Sequence, residues 1–415
     1  MFRKYYLENG IPLVTECIKN MHSVTLGIWV KVGSRFESVD KNGISHFLEH
    51  MFFKGTKKRS ARDIAIEIDS IGGDLNAFTS RETTTFYVKV LDQHINKGID
   101  LLTDIFLHST FPEDDIEKEK RIVREEIKMV EDTPDDYIND LFYQDVWGNE
   151  GIGLPVLGKR ETVKTFRRED IIGHIRKYYG TRDIVIACAG NFNPDNLLDS
   201  LNKALGGLRR GSEPERGETP EFKTSVNIYQ KELSEVHLCI GVKGLPQSSP
   251  ERYVLYLLNA ILGAGVSSRL FQEVREKRGL AYSIYSFIAS YIDTGLFGVY
   301  AGTAKKRVSE VIELIVRELK GLKDTVSEEE LRRAKEQIKG NLILGLESTS
   351  NRMQNIARQE IYYGRYYSPD DVIRQIEGVT LRQVKDLSER LTGDNSIAIT
   401  LLGPVQPSQL VLPPL

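Results

Sequence analysis

The stretch FRREDIIGHIRKYYGTRDIVIACAGNF, Phe166–Phe192, reads as an amphipathic helix, a turn, a buried strand and a closing glycine. The same order returns in VTLRQVKDLSERLTGDNSIAITLLGPV, Val379–Val405, where Gly403 falls on Gly190. Upstream, FPEDDIEKEKRIVREEI from Phe111 and VSEEELRRAKEQIKGNL from Val326 start helices in the same relation. A supersecondary pattern that recurs across both halves of a chain implies two similar units.

Between the halves lies RRGSEPERGETPEFKT, Arg209–Thr224, rich in Gly, Pro, Glu and Arg and without apolar periodicity. That is the composition of a solvated linker. The expected organisation is therefore a domain over 1–208, a linker over 209–224 and a second domain over 225–415. In the first half, Ser23–Val32 and Thr83–Leu91 read as strands, and Ile44–Phe53, Ala61–Ile71, His94–Leu107 and Glu113 to about Val130 read as helices. Strands and helices mixed without one-to-one alternation predict the α+β class: two tandem domains, each a mostly antiparallel or mixed sheet with helices packed on one face.

The 415 residues are 40% hydrophobic and 28% charged, enough apolar material for real cores, which excludes wholesale disorder. A net charge of −3 gives no electrostatic reason to expect nucleic acid or an anionic membrane as partner. Met1–Ile11, MFRKYYLENGI, has no apolar segment of the export-signal kind, and the apolar stretch Tyr253–Val266 is too short to span a bilayer and contains Asn259. Cys17, Cys188 and Cys239 lack CxxC spacing and read as reduced core side chains, which fits a cytoplasmic compartment.

The chemistry lies in Gly43–Met51, GISHFLEHM, which contains H-x-x-E-H. On a helix turning about 100° per residue, His50 sits about 40° to one side of His46 and Glu49 about 60° to the other, so all three share a face. Phe47 and Leu48 turn toward the core. Two imidazoles at i and i+4 can reach one metal ion, and a carboxylate beside them can take a proton from water activated by it. A third ligand is expected on the helix from Glu113, which offers Glu117, Glu119, Glu125, Glu126 and Glu131. Glu119 and Glu126 share a face and Glu125 lies about 100° away from Glu126, so spacing alone leaves the choice open.

SHFLEHMFFKGT (Ser45–Thr56), GGDLNAFTSRETTTFYV (Gly72–Val88) and EKEKRIVREEIKMVEDTPDD (Glu117–Asp136) closely resemble the pitrilysin/insulinase family of zinc metallopeptidases. Within it the chain looks most like bacterial relatives of the mitochondrial processing peptidase β subunit. The resemblance implies zinc, one ion per chain, held by His46, His50 and Glu126, the glutamate 76 residues after His50. It makes Glu49 the general base and Glu119 a glutamate that orients the metal site from behind. The helix alignment puts Ala334 and Asn341 at the matching positions of the second half, so no second site is expected there.

The same resemblance singles out Arg275 and Tyr282, within SSRLFQEVREKRGLAYSIYSF (Ser267–Phe287), as donors to substrate and to the developing oxyanion. Asn76 and Ala77 match a substrate-binding edge strand, where an extended peptide pairs through its main chain. Family members enclose substrate between two halves, so the chain is expected to form a dimeric chamber acting on peptides or unfolded segments. That dimer would be a homodimer, or a heterodimer with a paralogue, with Arg275 and Tyr282 acting in trans. The alternative is a catalytically silent assembly or chaperone-like subunit, against which stands the retention of His46, Glu49, His50 and Glu126. His22, His94, His108, His174 and His237 read as surface or core residues, and KGTKKRSAR, Lys54–Arg62, reads as a solvated basic loop.

Overall fold

In chain order the elements are β1 (Phe2–Tyr6), β2 (Pro12–Cys17), β3 (Ser23–Val30), α1 (Ile44–Met51), α2 (Ala61–Asp69), β4 (Asp74–Thr79), β5 (Thr84–Leu91), α3 (Ile95–His108), α4 (Glu113–Asp132), α5 (Pro134–Trp147), α6 (Arg160–Thr165), α7 (Arg168–Tyr178), β6 (Ile184–Gly190) and α8 (Pro194–Leu205). The second half continues with β7 (Val226–Gln230), β8 (Val236–Lys243), α9 (Arg252–Leu262), a π-helical turn (Phe271–Glu276), β9 (Ala281–Ser290), β10 (Gly295–Thr303), α10 (Val308–Thr325), α11 (Glu328–Gly345), α12 (Thr349–Tyr363), α13 (Pro369–Glu377), α14 (Leu381–Leu391) and β11 (Ala398–Gly403). The structure, a computed structural model, describes residues 1–211, 219–393 and 396–414. Residues 212–218, within the expected linker, lie outside the described residues.

The first unit is built on a six-stranded mixed sheet, β1-β2-β6-β3-β5-β4. Along β3, Val24, Leu26, Ile28 and Val30 join one core with Phe47, Leu48 and Met51 of α1, Leu101 and Leu102 of α3 and Val123 of α4. Trp29, of opposite parity, points to the other face and packs with Val185, Ala187, Met353 and Ile356. That second face is covered by α12, where the Trp29 indole donates to Met353 Sδ at 3.2 Å and Thr25 Oγ1 donates to Thr349 Oγ1 at 3.0 Å.

The second unit repeats the design with a five-stranded sheet, β7-β11-β8-β10-β9. Val236, Leu238, Ile240 and Val242 of β8 share a core with α9, α10 and α14. The opposite face carries α5, whose Asp145 accepts hydrogen bonds from Tyr229 at 2.7 Å and from Thr400 at 2.5 Å.

The two units therefore match the α+β expectation, and each also has one helix on its second face. They are not contiguous in sequence: the first comprises Met1–Met129, Asn149–Gly217 and Gly345–Tyr366, and the second Val130–Gly148, Glu218–Leu344 and Tyr367–Leu415. The division at 1–208 and 225–415 thus leaves α5 and α12 with the wrong sheet. Helical periodicity shows that a helix has an apolar face and says nothing about which sheet that face covers.

The glycine shared by the two repeats has a physical cause. Gly190 and Gly403 end β6 and β11 with φ of 130° and 152°, and a Cβ there would lie 2.2 Å from Ser23 O and 2.9 Å from Glu235 O. In both units the chain must leave a central strand against the backbone of its antiparallel neighbour, and only glycine does so without a clash.

Candidate metal and catalytic site

Helix α1 begins where the buried Glu37 carboxylate accepts from the backbone N–H groups of Gly43 (2.6 Å) and Ser45 (2.8 Å) and from Asn42 Nδ2 (3.0 Å). An anion at a helix N-terminus satisfies donors that have no intrahelical partner. Phe47 packs edge-on against Phe166 with centroids 5.4 Å apart, and Leu48 and Met51 are fully buried. Fixed at its start and along its inner face, α1 presents His46, Glu49 and His50 together.

Helix α4 supplies the facing carboxylates. Val123 and Ile127 are buried, Glu119 is 3% exposed, Glu126 is half-buried and Glu125 is exposed. The ambiguity left by spacing is thereby reduced to Glu119 and Glu126, and their contacts separate them. Glu126 Oε1 lies 3.7 Å from His46 Nε2 and its Oε2 lies 3.5 Å from His50 Nε2. Both are long for a hydrogen bond and close to the ligand separation of about 3.3 Å that tetrahedral bonds of about 2 Å require. Among the described residues, His46, His50 and Glu126 are the group that could hold a metal ion, with ligand atoms within 4.8 Å of one another. Two imidazoles and one carboxylate suit zinc with one coordination position open.

Glu119 stands behind the cluster. Its Oε1 is 2.8 Å from His50 Nδ1 and its Oε2 is 2.7 Å from Lys54 Nζ. Because a carboxylate can only accept, His50 carries a hydrogen on Nδ1, which leaves Nε2 as the ring nitrogen on the side of Glu126. Burial and then the neighbouring His50 push the His46 pKa down to about 3, so His46 is a neutral imidazole, the form a ligand requires. For Glu119, burial disfavours the charge, but the hydrogen bonds of His50 and Lys54 outweigh it and hold the pKa below the usual carboxylate range.

Glu49 accepts from Thr79 Oγ1 at 2.7 Å, and burial raises its pKa in spite of that bond. A carboxylate whose proton affinity has moved toward neutrality suits general base catalysis. Asn76 is exposed on β4, the edge of its sheet, and its Oδ1 takes the Ala77 N–H at 2.8 Å. In the second unit Arg275 lies on the π-helical turn with its guanidinium 5.3 Å from the ring centre of Tyr282, which is 80% exposed at the start of the edge strand β9. The positions matching Glu119 and Glu126 there are the buried Ala334 and the exposed Asn341.

Three residues around the site escaped sequence reasoning: Glu37, Thr79 and Lys54. Lys54, which the sequence places in a solvated basic loop, is instead ion-paired to the buried Glu119, and Arg59 of the same segment binds Glu67, Asp100 and Asp104. Each is an ordinary polar residue whose role depends on a partner that the fold brings to it.

Residues 13–160 match the model of the insulinase family, peptidase family M16, and residues 165–338 match that of the peptidase M16 inactive domain. A protein of Bacillus subtilis described as an uncharacterized zinc protease is 43% identical over 401 residues, spanning 96% of this chain and 98% of the relative. Another of that description, from Streptomyces coelicolor, is 37% identical and spans 98% and 90%. The crystal structure of a peptidase M16 inactive domain from Pseudomonas fluorescens superposes with a TM-score of 0.91 over 98% of each chain at 19% identity, a likeness of fold. The chain belongs to the insulinase family of peptidases. It is a zinc metallopeptidase, and no described helix is long and apolar enough to cross a membrane.

Proposed function

We propose that the enzyme is an endopeptidase of peptides or unfolded segments in which His46, His50 and Glu126 hold zinc and Glu49 is the general base. The observation that carries this reading is the convergence of both Nε2 atoms on the Glu126 carboxylate, on the helix face that also bears Glu49. Zinc, when bound, supplies a Lewis acid that polarises a peptide carbonyl and acidifies water. Glu49, held by the Thr79 hydroxyl, takes the proton of the attacking water and delivers it to the leaving amide nitrogen. Glu119 keeps His50 in the tautomer that ligation needs. Asn76 and Ala77 hold an extended substrate against β4 by main-chain pairing, once the Asn76 side chain gives up the Ala77 N–H.

Arg275 and Tyr282 are donors to substrate and to the oxyanion, delivered by a second chain across a dimeric chamber that operates in the cytoplasm. A homodimer is the simplest assembly, and a heterodimer with a paralogue uses the same surfaces.

The test is hydrolysis of a quenched fluorogenic peptide library by wild type and Glu49→Gln, with metal content and sedimentation measured on both. Equal zinc at one ion per chain with cleavage only by wild type supports the reading. Zinc-replete wild type that cleaves nothing favours the silent subunit, and activity surviving in Glu49→Gln overturns the assignment of the base.

A further inference from the structure

We propose that Lys54 is a positioning residue of the metal site, acting on His50 through Glu119. The inference rests on the reading that His46, His50 and Glu126 hold zinc. Lys54 lies just past α1, and its N–H bonds back to Met51 O at 3.2 Å, which continues the turn of the chain beyond the helix end. From there Nζ reaches Glu119 Oε2 at 2.7 Å, while the other oxygen of the same carboxylate reaches His50 Nδ1 at 2.8 Å. Glu119 is only 3% exposed, so water is poorly placed to substitute for either partner.

Each oxygen of Glu119 therefore has one assigned partner. With Oε2 held by a cation, the carboxylate has no reason to rotate, Oε1 stays on Nδ1, and the His50 ring keeps Nε2 pointed at Glu126, 3.5 Å away. Without Lys54, a buried anion is left with one unmatched oxygen. It would recover a partner by turning away from His50, and a His50 ring that has lost this hold is a weaker ligand in a three-ligand site.

Simple electrostatics predicts the opposite effect. Lys54 is a cation near a site built for a cation, so repulsion alone would make its removal tighten zinc binding. Positioning requires that removal weaken it. The two accounts differ in sign.

The experiment measures the zinc dissociation constant by competition with a chromophoric chelator for wild type, Lys54→Met, Lys54→Arg, Glu119→Gln and the double variant Lys54→Met/Glu119→Gln, with thermal unfolding in excess chelator as the control for folding. Lys54→Met is expected to bind zinc about 10- to 100-fold more weakly, the size of effect seen when groups behind a metal ligand are lost. Lys54→Arg, which restores a cation to Oε2, should recover most of the affinity. In the Glu119→Gln background, loss of Lys54 should add nothing, because its route to the metal is already cut. Unchanged or tighter binding by Lys54→Met, or a fully additive loss in the double variant, overturns the inference. Lys54→Leu also removes the partner of Oε2 and takes the place of Lys54→Met if that variant does not fold, with the same weakening expected. A folded wild type that binds no zinc refutes the metal-site reading itself, an outcome distinct from equal binding by wild type and variant.

Discussion

Thr79 Oγ1 donates to Glu49 Oε2 at 2.7 Å, joining the end of the edge strand β4 to the helix that carries H-x-x-E-H. A hydrogen bond to a charged group contributes about 1.5–3 kcal/mol, and the Thr79 backbone N–H adds a second bond to the same carboxylate. Thr79→Val, nearly the same shape without the hydroxyl, should lower kcat by roughly ten- to a hundredfold with little change in KM or zinc content. Thr79→Ser should restore it. Steady-state kinetics with zinc determined on each variant decides; a kcat unchanged in Thr79→Val would show that the hydroxyl does not position Glu49.

Glu37 occupies the other end of the same helix. Its carboxylate satisfies the N–H groups of Gly43 and Ser45, and Glu37→Ala would leave both donors buried without an acceptor. A loss of about 2–4 kcal/mol in unfolding free energy is expected. Glu37→Gln, which still accepts through its amide oxygen, should lose less. Urea unfolding of the two variants checks the order.

How much of this was legible beforehand differs from residue to residue. His46, Glu49 and His50 are neighbours on one helix turn, so their common face follows from spacing. Glu126 did not follow from spacing, since Glu119 shares its face and only tertiary contact tells them apart. Lys54, Thr79 and Glu37 carry no signal in their own surroundings because each acts on a partner brought from elsewhere by folding. The same limit applies to α5 and α12: their amphipathic patterns were visible, and the sheets they cover were not.

Glu330 gives a pH-dependent term in the second unit. Arg269 Nε binds its Oε1 at 2.6 Å and the Ser327 N–H binds its Oε2 at 2.9 Å. Burial opposes the charge, yet these partners outweigh it and draw the pKa down to about 2 from 4.5. The folded value lies below the unfolded one, so the stabilisation is complete above about pH 4.5 and is lost as the pH falls toward 2. Solvent screening of this partly exposed pair limits it to about 1–2 kcal/mol. The stability gap between wild type and Glu330→Gln, measured by denaturant unfolding, should therefore be constant from pH 7 to 5 and close between pH 4.5 and 2; a gap that persists at pH 2 would assign the effect to packing.

Met353 tests the exchange of helices. It is fully buried on the second face of the first sheet, against Trp29, and a Cβ added to Gly27 would meet its sulfur at 2.7 Å. Met353→Ala removes that filling and should cost about 2–5 kcal/mol, the usual loss for a large core side chain. The stronger test removes the helix. A fragment of residues 1–208 keeps the sheet and its first core but exposes Trp29, Val185, Ala187 and Ala189 to water, an apolar face that favours self-association. It should aggregate or bind a hydrophobic dye, and a peptide of residues 345–366 should bind it and suppress both. If 1–208 is instead monomeric and unfolds cooperatively without the peptide, α12 is an accessory to that sheet and the contiguous division of the chain is restored.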